Sequence, residues 1–315
     1  MIGGAAAAWP VTTLAQQAER SITRPRVAFL GAESRSTNQH FFDAFRQGMT
    51  EHGYIDGQNV ILEQRWAEGR SERFPELVGE LIGKTDVIVA VSLPGALAAK
   101  SASKTIPIVF IASDPLGSGL VSSLARPGGN LTGFSLFLGD EFSSKWLELL
   151  KEAVPNVSRV AVPWNPVNAV TSHYVAVLRG ASEKLGVVLQ PQAISDPDQF
   201  EGAFATIVAG SAQALVVVID PLTVRYRERI AELAAKNRLP AMYGFREFVD
   251  AGGLIAYGVY LPDLCRRAAI YVDNPADLPV EQPTTFELII NLKTAKALGL
   301  QIPPTLIAIA DGVVE

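Results

Sequence analysis

Two aspartates in this chain stand in the same kind of place. Asp114 and Asp220 each follow an apolar run and precede a proline, in Ile108-Val109-Phe110-Ile111-Ala112-Ser113-Asp114-Pro115 and Ala214-Leu215-Val216-Val217-Val218-Ile219-Asp220-Pro221. Polar clusters also follow other apolar runs: Gly31-Ala32-Glu33-Ser34-Arg35-Ser36, Ser92-Leu93-Pro94-Gly95 and Trp164-Asn165-Pro166-Val167-Asn168. Hydroxyls, amides and helix N-termini gathered in this way suit a ligand carboxylate, and the Asp side chains suit an ammonium. Taken singly, Ser92, Ser113, Asn165 and the two Asp-Pro pairs read more simply as turn or helix-cap residues. The recurrence carries the signal.

The elements that would position these residues alternate. Val27-Ala28-Phe29-Leu30 reads as a strand, and Phe41, Phe42, Phe45 and Met49 share one face of a helix over about 41–52. A strand from Val60, a helix through Phe74, Leu77, Val78 and Leu81, a strand at Asp86–Val91, a helix at Gly95–Ser103 and a strand at Ile108–Ala112 follow. The order then starts again, with a strand at Arg159-Val160-Ala161-Val162 and a helix around Ser172–Leu185. After a strand at Val187-Val188-Leu189 comes a helix through Phe200, Phe204, Ile207 and Val208, with Ser195 as its expected cap. The strand before Asp220 and a helix at Tyr226–Asn237 complete the pattern. Apolar runs without polar alternation indicate strands covered on both faces, as in parallel sheets flanked by helices. The fold class is therefore α/β, with two lobes of parallel sheet flanked by helices that divide near residues 131–145. In such sheets ligands bind beyond the carboxyl ends of the strands, where the polar clusters fall.

Composition narrows the function further. The 315 residues carry 27 Lys plus Arg against 32 Asp plus Glu, a net charge of −5, which disfavours a general nucleic-acid binder. One cysteine, Cys265, excludes an intrachain disulfide and a cysteine-cluster metal site. It lies in Asp263-Leu264-Cys265-Arg266-Arg267 and reads as a buried, inert thiol. His40, His52 and His173 show no metal-ligand spacing, and no partner for His173 is evident. Nucleophile-elbow, phosphate-loop and dinucleotide-binding patterns are missing. No cofactor or metal is expected, and no catalytic residue is assigned.

Residues 1–17 are small and mostly apolar, and no charged residue precedes Glu19. They read either as a flexible Ala-rich terminus or as the apolar stretch and cleavage region of an export signal lacking its basic front. An export signal is the expectation for this segment. No other segment approaches the roughly 20 apolar residues of a membrane span.

Near the C-terminus, Pro283-Thr284-Thr285-Phe286-Glu287-Leu288-Ile289-Ile290-Asn291-Leu292-Lys293-Thr294-Ala295-Lys296-Ala297-Leu298-Gly299-Leu300, continuing to Ile302-Pro303-Pro304-Thr305-Leu306, resembles the ending of one protein family. That family is the ABC-transporter substrate-binding proteins of the tryptophan- and tyrosine-binding type. Ile106–Phe110, Ser113-Asp114-Pro115, Ala125–Gly133 and Arg246–Val249 with Gly252-Gly253-Leu254 resemble it as well. The resemblance implies a type I periplasmic-binding-protein fold, in which three crossings join two Rossmann-like lobes around a ligand cleft. Lobe 1 would comprise 26–136 plus about 258–282, and lobe 2 about 137–257 plus 283–315. By position, Ser34, Ser92, Ser113 and Asp114 would line the cleft from one lobe. Asn165 and Asp220 would line it from the other, with Arg246 and Tyr257 near the crossings. Trp164 and Tyr243 are candidates either for stacking on an aromatic ligand or for plain packing. Relative to the family, the chain is several residues short where Asp273 meets Asn274-Pro275.

The expected function is a non-enzymatic, exported, periplasmic protein that captures a small molecule by hinge closure for an ABC permease. An amino acid is the first expectation, with aromatic ones among the candidates; the protein is expected to be monomeric and to bind no nucleic acid. A ligand-sensing module for a membrane signalling partner is the alternative, and an enzyme acting on a small amide or carboxylate is the third reading. A repressor of similar lobe type is disfavoured, because no helix-turn-helix precedes Arg26.

Overall fold

The computed structural model describes residues 24–136, 139–273 and 278–315. The expected export signal at 1–17 and the short junction beyond Asp273 lie outside the described residues. The first sheet contains β1 (Arg26–Gly31), β2 (Ile61–Trp66), β3 (Val87–Val91), β4 (Ile108–Ala112) and β5 (Leu131–Ser135). Its strands are parallel in the order β2-β1-β3-β4-β5. The second sheet contains β6 (Arg159–Trp164), β7 (Val188–Ala193), β8 (Ala214–Val217), β9 (Ala241–Tyr243), β10 (Ile255–Val259), β11 (Phe286–Asn291) and β12 (Gly312–Val314). Its order is β12-β11-β10-β9-β8-β6-β7, and among the described pairs only β10 with β11 is antiparallel.

The apolar runs form strands because both faces of each sheet are buried. Val87 and Val89 enter one core while Ile88 and Ala90 enter another; Val160 and Val162 likewise oppose Ala161. This period of two sorts each strand between two hydrophobic layers. Helices begin earlier than the apolar spacing alone suggests, because polar caps extend them. Ser34 starts the Arg35–Glu51 helix, Ser92 the Leu93–Ala102 helix and Asn168 the Ala169–Leu185 helix. The expected cap Ser195 is displaced by Asp196, whose carboxylate accepts from Asp198 N at 2.8 Å while Gln199 reaches back to the Asp196 amide.

The chain passes between the sheets three times. It leaves β5 for the Gly139–Ala153 helix, and leaves β10 for the Leu261–Arg267 helix, whose Leu264 and Cys265 join the first sheet's core. On its return to β11 it runs beside β5, where Ser135 and Glu281 backbones bond at 2.9 Å and Thr132 Oγ1 donates to Leu278 O at 2.7 Å. Each sheet reverses its winding once, between β1 and β3 and between β6 and β8. Those switch points open crevices at the strands' carboxyl ends.

One glycine is fixed by packing. Gly133 in β5 has φ +143°, and a Cβ there would lie 1.9 Å from Phe110 O of β4. Gly133→Ala is expected to destabilise the fold by about 2–4 kcal/mol, read as a lower urea midpoint. An unchanged midpoint would show that β5 can slide away from β4.

Candidate functional site

The loops at the two switch points carry most of the residues the strand-end pattern selects. In the second lobe they converge on Asp220, which is only 1% exposed. Its carboxylate caps the Pro221–Arg225 helix by accepting from Leu222 N at 2.7 Å. Asn168 Nδ2 donates to it at 2.7 Å and Asn165 Nδ2 at 3.3 Å. The carbonyl oxygens of both asparagines accept backbone amides, from Val167 and Val170 at 3.1 Å each. This fixes the direction of both amides, and their NH2 groups meet the carboxylate. Thr223 completes the cap by accepting from Asp220 N at 3.2 Å and donating to Val218 O at 3.0 Å. Among the described residues no Lys, Arg or His forms an ion pair with Asp220. Asn168 stands in the cluster after β6 but was not singled out from sequence, because only the fold shows that both asparagines reach one carboxylate.

The first lobe supplies hydroxyls and a second carboxylate. Ser34 Oγ accepts from Thr37 N at 3.3 Å and lies 2.9 Å from Ser36 Oγ. Ser92 Oγ accepts from Gly95 N at 3.1 Å. Half-buried Ser113 precedes Asp114, which adopts φ +40° and accepts from Gly117 N at 2.8 Å. The cap and turn roles are thus real. Across the gap, burial and then the charge of Asp114 push the Tyr174 phenol up to about 12. Tyr174 lies on the Ala169–Leu185 helix, edge-on to the buried Trp146 ring at 5.5 Å.

The aromatic candidates separate. Tyr243 is 1% exposed and stacks on Phe248 at 4.7 Å, so it is packing and not a ligand partner. Trp164 is half-buried at the end of β6, against the second lobe's core. Tyr257, half-buried in β10, stacks on Phe142 at 5.0 Å, and Phe142 lies 4.9 Å from Phe286. These rings mark the three crossings: Phe142 follows the first, Tyr257 precedes the second and Phe286 follows the third. Trp146 Nε1 donates to Tyr257 O at 2.8 Å, tying the Gly139–Ala153 helix to β10.

Other chemical groups are occupied. His173 Nε2 lies 2.7 Å from Asp140 Oδ1, a partner the sequence did not reveal. The Cys265 thiol is fully buried, and burial followed by the nearby Glu247 pushes its pKa far up, which leaves it unreactive. Among the described residues no three His, Cys, Asp or Glu side chains assemble as a metal site, and no helix is long and apolar enough to cross a membrane.

A family model described as ABC transporter substrate binding protein matches residues 29–314. The chain belongs to that family. This substrate-binding protein is 31% identical over 265 residues to a tyrosine-binding protein of Clostridioides difficile (strain R20291), covering 82% of this chain and 76% of that one. A structure titled as the ABC domain in complex with L-Trp, from Streptococcus pneumonia, is 24% identical with a TM-score of 0.83 and coverage of 93% and 100%. The ligand-free, open structure of a substrate-binding protein with adhesive properties from Clostridium difficile is 25% identical with a TM-score of 0.71 and coverage of 92% and 99%. The fold is the type I periplasmic-binding-protein fold, with two α/β lobes.

Arg246 of the substrate-binding protein is committed near the crossings, to Glu287 at 3.5 Å and Asp250 at 3.7 Å. Glu287 lies on β11 opposite Gly258. Burial pushes its carboxyl up to about 7, opposed by Arg246 and reinforced by Glu247, which burial also raises. In the unfolded chain the carboxyl titrates near its ordinary 4.5. Between these values the folded protein binds more protons, so this group's stabilising contribution is complete below the lower value and is lost as pH rises through the upper one. The substrate-binding protein is therefore expected to lose stability on the order of 1 kcal/mol from this group between about pH 5 and pH 8. Glu287→Gln should flatten that slope in melting temperature against pH. Parallel slopes in both proteins would refute the assignment.

Proposed function

We propose that this protein captures an amino acid, with an aromatic one as the leading candidate, between its two lobes and presents it to an ABC import permease outside the cytoplasm. The observation that carries the reading is Asp220: a buried carboxylate at a switch point, met by neutral donors and, among the described residues, by no cation. A buried anion in that state is costly unless a positive group approaches it. A ligand ammonium supplies the charge, and the opposite lobe's Ser34, Ser92 and Ser113 offer hydroxyls to the ligand's carboxylate. Asp114 is a second acceptor for the amine, while Trp164 and Tyr257 are the rings available to an aromatic side chain. Arg246 acts near the crossings through Glu287.

The lobes are assigned as 26–136 plus about 258–282 and about 137–257 plus 283–315. Closure is a rotation of one lobe on the other about the three crossings. The similarity pattern supports it: at nearly equal coverage and identity, the tryptophan complex gives 0.83 and the open, ligand-free structure 0.71. Two rigid lobes set at different angles produce such a gap. The names of the relatives support an aromatic amino acid. The protein works as an exported, periplasmic monomer, without cofactor, metal or reaction.

A thermal-shift screen with L-tyrosine, L-tryptophan and other amino acids tests the ligand class. A true ligand at 100 times its dissociation constant stabilises by roughly 2.7 kcal/mol. Asp220→Asn is expected to weaken binding by at least about 30-fold, because it leaves the ligand ammonium without its charge partner. Asp114→Ala should weaken it less. If 3-(4-hydroxyphenyl)propionate, which lacks the amine, binds wild type as tightly as L-tyrosine does, the ammonium assignment is wrong.

A further inference from the structure

Away from the Asp220 cluster, the two lobes touch through a contact that nothing in the ligand chemistry requires. Arg225 Nη1 of the second lobe donates to Gly69 O of the first at 2.6 Å. Gly69 lies just past β2, in a loop fastened to the end of β1 by Ala67 N to Gly31 O at 3.0 Å and Gly69 N to Ala32 O at 2.8 Å. The accepting carbonyl is therefore anchored to the sheet. Gly69 has φ +69°, and a Cβ there would stand 3.1 Å from Arg225 Nε and 3.2 Å from Glu33 Oε2. The missing side chain is what allows the guanidinium to lie against this loop beside the Glu33 carboxylate. Glu33 feels Arg227 and Arg225 from the second lobe and Glu68 from its own; burial is the larger influence and raises its carboxyl.

On its own side Arg225 is held in place. Its guanidinium carbon lies 5.4 Å from the centre of the Tyr226 ring, which packs 5.7 Å from Phe200. Arg227 donates back to Val224 O at 3.1 Å, whereas the Arg225 guanidinium donates across the gap. Arg225 ends the same short helix that Asp220 begins. Five residues of helical rise separate them by about 7.5 Å. A ligand that fixes Asp220 thus fixes the element that reaches the other lobe.

We propose that Arg225 is the clasp of the closed form, a positioning residue that sets ligand affinity through closure and leaves ligand selectivity to the Asp220 site. This rests on the reading that the lobes close over a ligand. Apparent affinity scales with the fraction of binding-competent protein, so a contact made in the closed form and not to the ligand changes every ligand's affinity by one factor. Arg225 is exposed, which keeps that factor modest.

Arg225→Ala and Arg225→Lys test the clasp, with L-tyrosine and L-tryptophan as probes in calorimetry and stopped-flow. Arg225→Ala is expected to raise both dissociation constants by about three- to tenfold and by the same factor, mainly through faster dissociation. Arg225→Lys, which keeps a cationic donor, should recover part of the loss. Unchanged affinity in Arg225→Ala overturns the proposal. So does a change in the tyrosine-to-tryptophan ratio, which would make Arg225 a ligand contact. A dye pair with one label on each lobe supplies a readout that needs no ligand: Arg225→Ala should shift the ligand-free distance distribution outward. Identical distributions sink the clasp, whereas failure of both amino acids to bind wild type sinks the ligand reading and leaves the distance test in force.

Discussion

Burying a carboxylate whose described partners include no cation is the condition around which the second lobe is arranged. Asp220 keeps its place because Leu222 N, Asn165 and Asn168 all donate to it. Each of those donors is itself fixed by a strand end or a helix cap, so the site inherits its geometry from the sheet beneath. Neutral hydrogen bonds solvate the anion without cancelling its charge, and the cluster keeps an attraction for a positive group. The Pro221–Arg225 helix serves that cluster at one end and the opposite lobe at the other.

The crossings use different chemistry on the two sides of the β10–β11 pair. Tyr257 and Phe286 meet Phe142 on one side, while Glu287 meets Arg246 and Glu247 on the other. Such a division follows from strand alternation, since neighbouring residues of β11 point to opposite faces.

Much of the architecture was legible in the sequence because parallel strands buried on both faces appear as unbroken apolar runs. Ile108–Ala112 coincides with β4, and most of the polar clusters after the strands fall at the switch points. Helix starts were less legible. Apolar spacing placed the helix after β6 near Ser172, whereas the Asn168 cap begins it at Ala169. Tyr243 offered no signal separating a ligand-facing ring from a core ring, because β9 is buried on both faces. Partners distant in sequence were beyond reach: Glu287 finds Arg246 only through the antiparallel turn of β11 against β10, and Gly69 meets Arg225 across 156 residues. Apolar runs report burial, but only the folded chain decides which distant polar group is brought into contact.

The rings at the crossings have a mechanical consequence. Phe142, Tyr257 and Phe286 sit one at each crossing, within 4.9–6.1 Å of one another. Dispersion between flat rings is largely non-directional, and the energies of offset and edge-on arrangements are close. Rings can therefore slip over one another by small angles while staying in contact and keeping water out. A joint of directional hydrogen bonds would have to break and remake them during the same motion. In the closure proposed above, the cluster would serve as a bearing that transmits load between the lobes and offers little resistance to their turning.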